Sequence, residues 1–258
     1  MPSAHMNVKR FETVVYVAHH QFYLEDANLD WDGRYSNNPW GRGDGLGIAA
    51  GVIGVLTSRA AAHTPVFVEL LDKVPSEPDS SFDKVTAASI DVSSGALRVL
   101  GEENNESSPA LEISLPAGTY EIRVLYANLD TITYDDDDGA EHYVIQVFPG
   151  AAREPAILRP FEAVDDPVRT TSKTKADVES GLASNDPSVC ARALVDLARC
   201  GAIDIVADAA SKHASRAMRL HAVNALRLVN ARQALEPLAK SEDLAIRGNV
   251  TRALEREE

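Results

Sequence analysis

Residues 110–126 read ALEISLPAGTYEIRVLY. Leu111, Ile113 and Leu115 alternate with polar residues, Pro116-Ala117-Gly118 turns the chain, and Tyr120, Ile122, Val124 and Tyr126 alternate again. Successive side chains of a strand point to opposite faces, so each run offers one apolar face to a core. The segment Leu115-Pro116-Ala117-Gly118-Thr119-Tyr120 matches the corner found in β-sandwiches. There a tyrosine hydroxyl ties the start of a strand to the preceding turn.

The same reading extends in both directions. FETVVYVA, residues 11–18, is rich in β-branched and aromatic side chains and predicts a strand. Residues 48–56, with Gly51 and Gly54, read as a buried strand with a bulge or bend, or alternatively as a short helix. PVFVELL, residues 65–71, is a further strand. Residues 82–92 and 96–100 flank Ser93-Ser94-Gly95 and predict a hairpin. EHYVIQVF, residues 141–148, is the last strand. About eight short strands separated by turn signals predict a β sandwich of two antiparallel sheets over residues 7–150. The proline-containing stretch 151–174 lacks a helical period and reads as a linker.

Residues 175–258 change character, becoming rich in alanine and leucine at helical spacing. VCARALVDL (189–197), MRLHAVNAL (218–226) and IRGNVTRAL (246–254) align at offsets of 29 and 28 residues. Residues 203–210 and 231–239 between them have the length of partner helices. Asn185-Asp186-Pro187 supplies a cap followed by proline in the first turn. A fixed period of paired helices predicts a short α-solenoid. Through Asp186-Pro187-x-Val189 and the Ala-Leu pairs at Ala193-Leu194, Ala225-Leu226 and Ala253-Leu254, it resembles short HEAT-like repeats. Arg192, Arg199, Arg216, Arg219, Arg227, Arg232, Arg247 and Arg252 either line a binding face or form a solvated one.

Of 258 residues, 45% are hydrophobic, enough for a core and against wholesale disorder. Cys190 and Cys200 are too few for a metal site of their own and fit reduced thiols in the cytoplasm. MPSAHM at the start is set aside as an expression remnant, with Met6 as a start, and no secretory signal pattern follows it. The longest apolar run, residues 46–56, is too short to span a bilayer. Net charge is −14, unevenly divided. Residues 1–167 carry 11 Lys and Arg against 27 Asp and Glu, a formal −16, while residues 168–258 carry 14 against 12, or +2. Such a field repels nucleic-acid phosphates and attracts basic proteins or cations.

LEDANLDWDGRYSNNPWGRGDGLG, residues 24–47, has neither apolar period and reads as a long loop. It holds both tryptophans among five carboxylates, which suits a binding surface of rigid apolar anchors with a charged rim. Asp30, Trp31, Asp32, Tyr35, Trp40 and Asp44, together with Asp135, Asp136, Asp137 and Asp138, are therefore the candidate partner-binding residues. The alternative is that the indoles fold back onto a core. Neither Asp30-x-Asp32-Gly33 nor Asp136-x-Asp138-Gly139 completes a twelve-residue calcium loop. A solvated loop, a bound calcium ion and an anionic docking patch remain the three readings, the last using both loops together.

No dinucleotide, Walker, nucleophile-elbow or His-Glu-x-x-His motif occurs among the glycines, serines and seven histidines. The expectation is a non-enzyme without cofactor or metal. His19 and His20 fall at a strand end, where one is expected to serve a hydrogen bond within the fold.

Taken together, residues 11–148 resemble the competence protein J family. The likeness is carried by Ala18-His19-His20-Gln21-Phe22, Asp30-Trp31, Asp44-Gly45, Asp83-Lys84-Val85-Thr86, the 115–120 corner and His142-Tyr143-Val144-Ile145. That family includes the inhibitor of a membrane-associated DNA-entry nuclease, and its members lack helical repeats. The resemblance implies a non-catalytic inhibitor or immunity protein. It would block a basic protein partner, a nuclease or toxin, without touching nucleic acid or spanning a membrane. The competing expectations are an adaptor whose helical repeats bind a protein, and a calcium-dependent binding domain.

Overall fold

The computed structural model describes residues 8–29, 45–75, 80–104, 108–132, 139–162 and 175–255. The chain divides into two compact units. One, the strand unit, consists of Met1–Ala61, Val66–Ala127 and Tyr143–Glu162; the other, the helical unit, gathers Ala62–Pro65, Asn128–His142 and Ala163–Glu258.

Eleven strands occur among the described residues: β1 (Val8–Val17), β2 (Gln21–Asp26), β3 (Leu46–Ala49), β4 (Val52–Leu56), β5 (Ala62–Leu71), β6 (Lys84–Val92), β7 (Ala96–Leu100), β8 (Leu111–Ser114), β9 (Gly118–Ala127), β10 (His142–Pro149) and β11 (Ala156–Arg159). They form a six-stranded sheet in the order β1-β5-β10-β9-β6-β11 and a five-stranded sheet in the order β3-β4-β2-β7-β8. Phe22 on β2 meets Tyr143 on β10 edge-on at 5.5 Å between ring centroids, and Tyr143 meets Tyr126 on β9 at 5.2 Å. Tyr143 is fully buried, and its hydroxyl accepts the Ser58 amide at 3.0 Å, so its polar end is satisfied inside the core.

The 110–126 stretch folds as read. The Tyr120 hydroxyl donates to the Pro116 carbonyl at 2.6 Å, the tie expected of the corner. Its two strands separate there, β8 into the five-stranded sheet and β9 into the six-stranded one.

Four expectations are corrected. The sheets are not purely antiparallel: β10 runs parallel to β5, from Tyr143 opposite Val66 to Val147 opposite Leu70. Both strands are apolar along most of their length, as parallel strands covered on both faces are, and side-chain pattern carries no direction. Residues 82–100 are not a hairpin. β6 pairs with β9 and β11, whereas β7 pairs with β2 and β8, so Ser93-Ser94-Gly95 passes the chain from one sheet to the other. Residues 46–56 are two strands, β3 and β4, which turn at Ala50-Gly51, where Gly51 takes φ +72°. β11 lies inside the stretch read as linker. Flanked by Pro155 and Pro160, its four residues carry too little pattern to read as a strand, and they gain their ladder from the edge of β6.

His19 and His20 form a two-residue turn between β1 and β2 with φ of 52° and 61°, closed by pairing of Ala18 with Gln21. His20 Nδ1 lies 3.3 Å from the Thr57 carbonyl, the internal hydrogen bond expected of one histidine of the pair. Gly101, after the end of β7, packs close against β1: a Cβ there would sit 2.3 Å from the Tyr16 carbonyl oxygen.

The helical unit carries α1 (Lys175–Leu182), α2 (Pro187–Arg199), α3 (Ile203–Lys212), α4 (Arg216–Leu228), α5 (Arg232–Leu235) with a 3-10 turn at Glu236–Lys240, and α6 (Leu244–Glu255). The three aligned blocks fall on α2, α4 and α6. Asp186 caps α2, its carboxylate accepting the Ser188 amide at 2.9 Å, with Pro187 in the first turn. Ser215 does the same for α4 by accepting the Met218 amide. Pro237 has no N–H to donate, which fits the shortening of the second partner helix into a 3-10 turn. Among the described residues no helix is long and apolar enough to cross a membrane.

Candidate functional site

All ten candidate partner-binding residues, Asp30, Trp31, Asp32, Tyr35, Trp40, Asp44, Asp135, Asp136, Asp137 and Asp138, lie outside the described residues. What the structure places are the anchors on either side of both acidic segments.

The first segment leaves β2. Residues 24–26 are strand rather than loop. Two of the five carboxylates in that stretch are inside the fold: Glu25 is fully buried and Asp26 is 4% exposed. The Asp26 carboxylate receives the Ser93 amide at 2.9 Å and hydroxyl at 2.5 Å, the Ser94 amide at 3.0 Å, and the Ser94 hydroxyl. Burial alone would raise its pKa, but the hydrogen bonds from Ser93 and Ser94 outweigh it, and the group sits at about 2. The Ala27 carbonyl accepts Arg98 Nη1 at 3.0 Å, and the Leu29 amide closes a turn on Asp26 O at 2.9 Å. At the far end, the Gly45 carbonyl accepts the Leu56 amide at 2.9 Å and the Tyr126 hydroxyl at 3.3 Å. Lys84 Nζ stands 4.8 Å above the Tyr126 ring.

The second segment is flanked by a closed neck in the helical unit. Asn128 takes φ 60° and starts a 3-10 turn over Leu129–Thr131. Thr131 Oγ1 donates to the Asn128 carbonyl at 2.6 Å and accepts the Ala140 amide at 2.8 Å, while Asn128 Nδ2 donates to the Ala140 carbonyl at 3.1 Å. These bonds tie Asn128 and Thr131 to Ala140. The base is held from α2: Arg192 Nη1 donates to Asn128 Oδ1 at 2.9 Å and to Asp130 at 3.3 Å, and Arg199 Nη1 reaches Asp130 at 3.1 Å.

The repeat arginines are therefore largely engaged within their unit. Besides Arg192 and Arg199, Arg216 grips Asp243 through two bonds of 2.7 and 3.0 Å. Arg219 and Arg247 each donate to the carbonyl six residues back, at His213 and Ser241. Arg232 donates to the Leu254 carbonyl.

Sequence reasoning missed a polar row at the fourth position of the three blocks: Arg192, His221 and Asn249. His221 and Asn249 are fully buried. His221 Nε2 lies 3.4 Å from Asn128 Nδ2, and Asn249 Nδ2 donates to Asn224 Oδ1 at 3.0 Å. The signal was present: the fourth position is polar in all three blocks. Among the described residues no group of three or more His, Cys, Asp or Glu could hold a metal ion.

The fold so described, two sheets followed by paired helices, has been compared with known proteins. No family model matches the chain, and no curated protein matches it. Two solved structures are similar at low identity. One is the crystal structure of ComJ, inhibitor of the DNA degrading activity of NucA, from Bacillus subtilis: 17% identical, TM-score 0.40, covering 56% of this chain and 99% of that one. The other is the crocagin biosynthetic gene J product: 16% identical, TM-score 0.39, with the same coverage.

Proposed function

We propose that the protein is a non-catalytic inhibitor or immunity protein that blocks a basic nuclease or toxin by presenting an acidic, aromatic surface. The observation that carries this reading is the confinement of charge: −16 in residues 1–167 against +2 in the remainder. A nuclease must hold phosphates with cations, so an acidic surface is complementary to its substrate cleft and accelerates encounter. Asp30, Asp32, Asp44 and the four aspartates from Asp135 to Asp138 would supply the field, and Trp31, Tyr35 and Trp40 the buried anchors.

In this reading the strand unit is a two-sheet sandwich that carries the first acidic loop. The domain boundary then falls after β11, moving the start of the linker from residue 151 to residue 163. Residues 175–258 form a HEAT-like solenoid. The internal bonds of Arg192, Arg199, Arg216, Arg219, Arg232 and Arg247 favour a supporting role for that solenoid over a basic binding face.

Titration calorimetry against a purified basic DNA-degrading nuclease, paired with a DNA-cleavage assay, tests the proposal. The intact chain is expected to bind and suppress cleavage, with affinity falling as salt rises. Reversal of Asp30, Asp32 and Asp44 to lysine is expected to weaken binding by about tenfold or more. Unchanged affinity in that triple variant would sink the surface assignment.

A further inference from the structure

The neck at Asn128–His142 ends in an imidazole that packs on a second imidazole. His142 and His221, from α4, are both fully buried, with ring centroids 5.3 Å apart and planes nearly perpendicular at 87°. Asn128 bridges the neighbourhood: its amide lies by His221 Nε2 and its oxygen takes the Arg192 guanidinium. We propose that His142 and His221 form a pH-sensitive latch, which holds the neck against the helices while both imidazoles are neutral and releases it when one is protonated.

The surroundings decide the direction. Arg192 already places a cation beside the pair. On the neck, Asp130 is shared between Arg192 and Arg199, and the Glu141 carboxylate lies beside Gly139. On α2, Asp196 is 3.5 Å from Arg192. Arg227 on α4 adds a further cation to that helix, and His63, half-exposed, sits on β5. A proton on either ring adds positive charge to a dry site in which Asp130 and Asp196 are already paired with arginine. Burial, then the neighbouring His221 and Arg192, all push the His142 pKa well below its ordinary 6.5.

The released state therefore binds a proton more readily than the latched one. The latch is at full strength above about pH 6.5, and it weakens as pH falls below that value toward the depressed pKa. Carboxylates with lowered pKa lose their stabilisation only at more acid pH, which separates the two effects.

Native-state amide hydrogen exchange on the full chain, corrected for intrinsic rates, reads this directly. The Thr131 amide, bonded to Asn128 O, and the Ala140 amide, bonded to Thr131 Oγ1, report on the neck; Val250 in α6 is the internal reference. Between pH 7.5 and 5 the neck amides are expected to lose protection about tenfold or more relative to Val250. His142→Phe and His221→Asn, the latter copying Asn249 at the equivalent position of the third block, are each expected to reduce that loss to about threefold or less. Should His142→Phe fail to fold, His221→Asn carries the test alone. An unchanged loss in His221→Asn, or undiminished protection of the wild-type neck at pH 5, overturns the proposal.

Discussion

Asp26 of the strand unit and Asp130 of the helical unit are both enclosed carboxylates, but their partners differ in chemistry. Asp26 is held by two amides and two hydroxyls of one turn, and among the described residues no arginine or lysine is one of its hydrogen-bond partners. Asp130, whose side chain is 6% exposed, is held by the guanidinium groups of Arg192 and Arg199. Neutral donors fixed in a turn lock a local geometry and tolerate the charge without adding another. Two cations from a helix tie a distant segment to a repeat and offset the charge of its carboxylate. The first arrangement sets where a strand connection begins; the second decides whether a neck stays attached to its helices.

The largest break in this comparison is expected from Arg192→Ala combined with Arg199→Ala. Asp130 would be left enclosed without its cations, a loss of about 3 kcal/mol or more. Chemical denaturation of the double variant measures it, and each single variant is expected to cost less than half as much. Next comes Asp26→Ala, which orphans the four donors of Ser93 and Ser94 at about 2–3 kcal/mol. The pH dependence sharpens the contrast. With its pKa lowered from 3.8 to about 2, Asp26 contributes stability fully above pH 3.8 and loses it as pH falls toward 2. Acid titration of stability in wild type and Asp26→Ala should therefore converge near pH 2.

Smaller effects follow away from the two acids. Tyr120→Phe removes the 2.6 Å bond to Pro116 O and is expected to cost about 1 kcal/mol, read as a shift in denaturation midpoint. Arg216→Ala breaks a pair whose arginine is half exposed, 49% by side chain, and should cost about 0.5 kcal/mol, declining further in high salt. An Arg216 effect as large as that of the Arg192/Arg199 pair would erase the distinction between enclosed and surface ion pairs drawn here.

Local pattern determined much of the molecule. Alternation marked β8 and β9, and the spacing of Leu115 to Tyr120 foretold a bond that forms across four residues. Caps and recurring apolar positions located α2, α4 and α6, because a helix is closed by its own neighbours in sequence. The placement of Asp130 and the burial of Asp26 were not legible in this way. Asp26 lies in a run that continues QFYL as a strand, yet its four donors come from residues 93 and 94. Asp130 meets arginines more than sixty residues away.

Strand direction and sheet membership belong to the same class. The two-residue alternation of a strand is identical whether its neighbour runs parallel or antiparallel, so the β5–β10 pair and the split of β6 from β7 were decided by long-range pairing. The amino-acid order by itself specified most of the strands, the three repeat helices, the cap of α2, and that acidity is concentrated in the first 167 residues. Only the tertiary structure decided which carboxylates are enclosed and which imidazoles meet, since burial and pairing depend on residues that the chain brings together from far apart.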